Sequence, residues 1–186
     1  MPRQGTQKNK VLLLKHQLSK TQRLSYTALF LALSLVLPLA FHAFGVAGRI
    51  FLPMHIPVLL AGMLVGPFSA LVVGLLGPGL SHLMTGMPPT YAVPLMTLEL
   101  PVYGVIAGVL YYRLKLHVYL SLIVAMVAGR LVFGLALLVL GMFMNLPYTA
   151  ATFFSAGGAV VAGLPGVVLQ LALIPLLVTA VKRRTR

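Results

Sequence analysis

Long apolar blocks, nearly free of charge, alternate along this chain with short polar or Gly/Pro-rich gaps. A helix needs about 20 apolar residues to cross roughly 30 Å of hydrocarbon, and that ruler marks six blocks. The first runs from about Leu24 to Phe44, and the second, shorter, from Ile50 to Val65, with Pro53, His55 and Pro57 near its start. Gly66-Pro67 separates it from the third, which ends near Met84 and is followed by the turn-rich Thr85-Gly-Met-Pro-Pro-Thr90. The fourth extends from Tyr91 to Tyr112 and the fifth from His117 to Met144. After a segment of small and polar residues, Asn145 to Gly158, the sixth reaches Val181. The expected fold is an all-α integral membrane protein, a compact bundle of six transmembrane helices.

Charge gives the bundle an orientation. The chain of 186 residues holds fourteen Lys and Arg against a single acid, Glu99. Short cytoplasmic loops retain basic residues. Six of them (Arg3, Lys8, Lys10, Lys15, Lys20 and Arg23) precede the first block, Arg113 and Lys115 lie between the fourth and fifth, and Lys182, Arg183, Arg184 and Arg186 follow the sixth. Six crossings put all of these on one side, leaving Arg49 opposite and Arg130 inside a span, so both termini are expected in the cytoplasm. Five or seven crossings would break that agreement. The domain reading is a basic tail over 1–21, a membrane domain over 22–181 and a basic end over 182–186. The first block is too long for the core of a cleaved signal peptide.

Composition narrows the function. Only 8% of residues are charged, against about 25% in soluble domains, which excludes a soluble enzyme or a DNA-binding module. The absence of Cys removes disulfides, thiolate metal sites and redox centres. No phosphate loop, metal-ligand triad or nucleophile elbow occurs, so no cofactor, metal or catalytic residue is expected.

Ionisable groups inside a membrane are costly and mark candidate sites. Glu99 and Arg130 lie equally far from the turn near Leu114-Lys115 that joins the fourth and fifth spans, so an antiparallel hairpin puts them at equal depth, roughly 20 Å from the cytoplasmic end. Either they form a structural ion pair or they line an outward-facing polar cavity. Met96 and Tyr103 share the helical stripe of Glu99; Tyr91 opens the fourth span, Asn145 closes the fifth, and His55 and Gln170 add polar groups on the second and sixth. His55 and His82 have a plainer alternative in helix-end hydrogen bonds, and Gln170 in bonding a neighbouring helix. Together these residues suit a small, flat, hydrogen-bonding ligand. Small-x-x-x-small pairs occur at Ala28/Ala32, Gly62/Gly66 and Gly104/Gly108, a spacing that lets helices approach closely.

The size, the six spans, the basic N-terminus, Ala28-x-x-x-Ala32, and the segments Leu52-Pro-Met-His-Ile-Pro-Val-Leu-Leu-Ala-Gly62, Met84-Thr-Gly-Met-Pro-Pro89 and Leu98-Glu-Leu-Pro-Val-Tyr-Gly104 resemble those of the S components of energy-coupling factor (ECF) transporters. The resemblance covers about Gln22 to Val181. It implies a substrate-binding subunit without its own ATPase, in a prokaryotic cytoplasmic membrane, that takes up a vitamin or vitamin precursor. It further implies partnership with a transmembrane coupling subunit and two ATP-binding-cassette ATPases, with Ala28 and Ala32 at that interface. Its ligand site, near the outer side, maps onto the regions of Glu99, Arg130, Asn145 and Met84 to Tyr91. The competing reading is a small multidrug or lipid-interacting membrane protein acting without ATPases; an intramembrane enzyme would need more than one carboxylate.

Overall fold

The computed structural model describes residues 18–43, 48–147, 149–155 and 159–184; most of the basic tail and the last two residues of the basic end lie outside them. Every regular element among the described residues is helical. These are α1 (Lys20–Ala43), α2 (Gly48–Phe51), α3 (His55–Leu60) continuing as a π-helical segment (Ala61–Val65), and α4 (Pro67–Thr85). Then come α5 (Ala92–Ala107) continuing as a second π segment (Gly108–Arg113), α6 (Val118–Leu140), α7 (Ala150–Phe154), α8 (Ala159–Ala162) and α9 (Leu164–Arg184). Five stretches are long and apolar enough to cross a membrane: Lys20–Phe41, Pro67–Thr85, Ala92–Arg113, Val118–Leu140 and Leu164–Val181; His55–Val65 is a shorter apolar rod. This is an all-α membrane bundle.

The second block differs from the expected continuous span. Its backbone breaks at Leu52–Met54, where Leu52 takes a φ of 50° and the amides of His55 and Ile56 bond to the carbonyls of Leu52 and Pro53. Pro53 has no amide proton to give a helix there. Non-helical backbone at membrane depth is tolerated where protein covers it, and Pro53 and Met54 are buried. The break makes His55 the first residue of α3 rather than a mid-helix residue. The sixth block is likewise divided, by a turn at Gly163.

Glycines set how closely the rods pack. A Cβ on Gly62 would meet the Gly104 carbonyl oxygen at 2.2 Å, and one on Gly108 would meet the Gly62 oxygen at 2.9 Å. Gly62 thus faces both Gly104 and Gly108 inside the bundle, bringing the His55–Val65 rod and α5 into backbone contact, while Gly66 lies against the Tyr112 ring. Without a hydrophobic force between helices in lipid, this close packing is a main source of association. Gly74 lies as tightly against Leu100 and Pro101, joining α4 to α5. On α1, Thr27 donates to the Ser69 hydroxyl at 2.8 Å and Ser34 fills the notch at Gly77, fixing one face of α1 on α4. Ala28 and Ala32 are exposed on another face of α1.

Candidate substrate site

Three rods bring the ionisable residues together. The α3 rod and α5 run parallel, in a register set by the Gly62–Gly104 contact, and this carries His55 to the level of Glu99. The short link at 114–117, where Lys115 takes a φ of 59°, folds α6 back antiparallel to α5 and lifts Arg130 to the same level. Arg130 Nη1 donates to Glu99 Oε1 at 3.1 Å, and His55 Nε2 stands 3.7 Å from Glu99 Oε2. The equal depth expected of the hairpin is therefore observed. Glu99 and His55 are each 2% exposed, and the Arg130 side chain 14%. The edge-on contact of the Tyr103 ring with His55, centroids 4.8 Å apart, locks the imidazole in place, and the Tyr103 hydroxyl interacts with the Glu99 carboxylate.

The pair is incompletely satisfied. Among the described residues, Arg130 Nη2, both ring nitrogens of His55 and Nε2 of Gln170 are buried with no hydrogen-bond partner. Buried polar groups in native proteins are almost always paired, and each left unmade costs about 1–3 kcal/mol. Gln170 lies on α9, which packs against α3 and α6, one turn past the Gly166 that abuts Ile50 and Phe51.

An aromatic cap closes the cluster. Phe153 on α7, 2% exposed, has its ring 5.8 Å from the Arg130 guanidinium and stacks on Phe133 at 4.6 Å. The sequence reading missed both rings. A usable signal was the spacing Arg130/Phe133, which puts the charge and the ring on one face of α6. Phe153, in contrast, lies in a segment that reads only as small and polar. Two grooves, of about 410 Å³ (His117, Tyr119, Pro175, Thr179) and 420 Å³ (Leu131, Leu135, Leu138, Phe154), lie elsewhere, among residues that are mostly exposed. The closed cap over buried, unpaired donors carries more chemical meaning than either.

The remaining sequence candidates are not in this group of contacts. Met96 is partly buried against the apolar core, Tyr91 is the half-buried residue preceding α5, and Asn145 is exposed in the turn after α6. His82 Nδ1 bonds the Pro88 carbonyl at 2.8 Å, the helix-end role considered for it.

A family model described as "ECF transporter, substrate-specific component" matches residues 22–178. No curated protein and no solved structure matches this chain. The match covers most of the chain, which belongs to the substrate-specific components of ECF transporters. It is thus a multi-pass membrane protein and the substrate-specific subunit of a transporter whose membrane and ATPase module lie in other chains.

Proposed function

We propose that this subunit captures a vitamin or vitamin precursor with high affinity at the outer side of a prokaryotic cytoplasmic membrane, and that the ligand is held at Glu99, Arg130, His55, Tyr103 and Gln170. Residues 22–181 form the binding domain, with both basic ends in the cytoplasm. The transmembrane coupling subunit docks at Ala28 and Ala32, and two ABC ATPases drive uptake. Family membership favours this over a multidrug or lipid-interacting protein working without ATPases. Met96, Tyr91 and Asn145, toward the 85–92 end of the bundle or in the turn after α6, contribute along the path of entry.

The observation that carries the site is the surplus of buried donors around one ion pair. A pair kept only for stability would be replaced by apolar residues at little cost, and would not be ringed by unpaired nitrogens. Phe153 closes the site, so α7 moves for the ligand to enter.

The test is a paired replacement. Glu99→Gln alone leaves Arg130 uncompensated, which costs about 3–5 kcal/mol for a buried pair, so folding and binding would fall together. Glu99→Gln with Arg130→Met restores neutrality. In a binding site the double variant folds but no longer retains the small molecule that copurifies with the native protein, quantified by mass spectrometry. Full retention by a well-folded double variant would identify a structural pair and remove the site.

A further inference from the structure

The cluster also bears on what kind of molecule it takes. Five buried side-chain atoms lack a partner among the described residues: four nitrogens, on His55, Arg130 and Gln170, and the hydroxyl of Ser81. No carboxylate or carboxamide oxygen is among them. Arg130 Nη2 and Gln170 Nε2 can only donate. The one carboxylate already faces Arg130 and His55. A neutral His55 ring adds one donor and one acceptor, and the Ser81 hydroxyl can act as either, so among these atoms donors outnumber acceptors.

Its charge is balanced as well. Glu99 and Arg130 cancel at 3.1 Å, so a carboxylate or ammonium brought beside them would enter a low-dielectric interior without a counter-ion. The Phe153 ring lies over the Arg130 guanidinium and stacks on Phe133, Tyr103 meets His55 edge-on, and stacked rings favour a flat partner.

Resting on the site proposed above, we infer that the ligand's buried edge is uncharged and acceptor-rich: carbonyl oxygens or ring nitrogens of a flat heterocycle, with no ammonium or carboxylate at that edge. Such a molecule satisfies Arg130 Nη2 and Gln170 Nε2 without disturbing the charge balance. It slides against Phe153, which now occupies the space above the guanidinium.

Three ring-matched probes separate the alternatives: 3-acetylpyridine, neutral with acceptors only; pyridine-3-carboxylate; and 3-(aminomethyl)pyridine, a cation at neutral pH. Each is titrated calorimetrically into detergent-purified protein washed free of small molecules, up to about 10 mM, the weak affinity expected of so few atoms. Titrations are repeated on Gln170→Leu, which removes the unpaired Nε2, with the unliganded thermal midpoint measured alongside to show that the variant folds.

The acetyl probe should bind at least tenfold more tightly than either ion, and lose that binding in Gln170→Leu. If an ionic probe binds as well or better and is lost in Gln170→Leu, the neutral-acceptor inference fails while the site stands. If binding is indifferent both to Gln170→Leu and to the paired Glu99→Gln, Arg130→Met variant, the site itself is wrong and the inference falls with it. Binding by none of the three overturns the inference.

Discussion

Adding one methyl group at Gly129 should cripple the site through Tyr103. A Cβ there would lie 2.1 Å from Tyr103 Cε2, 2.2 Å from Cδ2 and 2.8 Å from Cζ. Carbon atoms pack at about 3.5–4.0 Å, so the ring must retreat by more than ~1 Å. It has nowhere to go: Tyr103 is 2% exposed and its ring meets His55 edge-on at 4.8 Å. Overpacking of this kind costs about 1–3 kcal/mol, and loss of the aromatic contact about 0.5–1.5 kcal/mol more. If only ~1.4 kcal/mol of that reaches the ligand, affinity falls tenfold. Gly129→Ala should therefore lower the thermal midpoint in detergent and reduce retention of the copurifying molecule by about tenfold or more. Gly134→Ala, on the same helix, is the control. Its Cβ would approach Phe154 Cε2 to 2.3 Å, but Phe154 is 49% exposed and its ring swings outward. That variant should behave nearly as the native protein. Adding Tyr103→Leu to Gly129→Ala should recover stability but not binding, a coupling that a double-mutant cycle reads directly. Native-like stability and retention in Gly129→Ala, or greater damage from Gly134→Ala, would refute the argument.

Other variants test the packing, the partner face and the orientation. Gly62→Ala drives a Cβ into the Gly104 carbonyl, a backbone atom that cannot swing away, and should cost about 3 kcal/mol or more, seen as lost folded yield. Gly79→Ala meets nothing within 4 Å and should be neutral or gain up to ~1 kcal/mol; equal yields from the two would contradict the close contact of the rods. Ala28→Trp with Ala32→Trp should abolish assembly with the coupling subunit and stop uptake while ligand retention survives; loss of retention as well would place these alanines in the fold rather than at an interface. Because the chain has no Cys, Met87→Cys should be labelled from outside intact cells and Lys115→Cys only after permeabilisation, and the reverse pattern would invert the bundle.

Much of the architecture was legible because hydrocarbon imposes a length on any helix that crosses it. The meeting of Glu99 and Arg130 was legible for a similar reason: a tight hairpin converts equal sequence distance into equal depth. What sequence could not show depends on contacts between distant rods. The parallel register that brings His55 to Glu99 follows from Gly62 touching Gly104, which no local pattern announces. Pro53 and Pro57 hinted at an irregular second span, but the position of the break depends on the protein that covers it. Asn145 and Tyr91 were chosen for lying at span ends near the expected site, and proximity along the chain did not carry them into the cluster. Phe153, from a stretch with few apolar neighbours, reached the core through the short α7.

The two π segments bear on the heredity of two distant parts of the chain. Each closes with a bond spanning five residues, Gly66 amide to Ala61 carbonyl and Leu114 amide to Val109 carbonyl, and each holds about one residue more than the α turn it replaces. Deleting one residue from either would restore α geometry and leave the faces of the neighbouring turns nearly as they are, because the extra residue is taken up within the bulge itself. These segments lie against each other beside the Gly62–Gly108 contact, so a deletion confined to one bulge would leave the packed faces of the seam in place. Descendants of this gene should therefore be able to gain or lose those residues singly, and span-two length need not track span-four length across lineages.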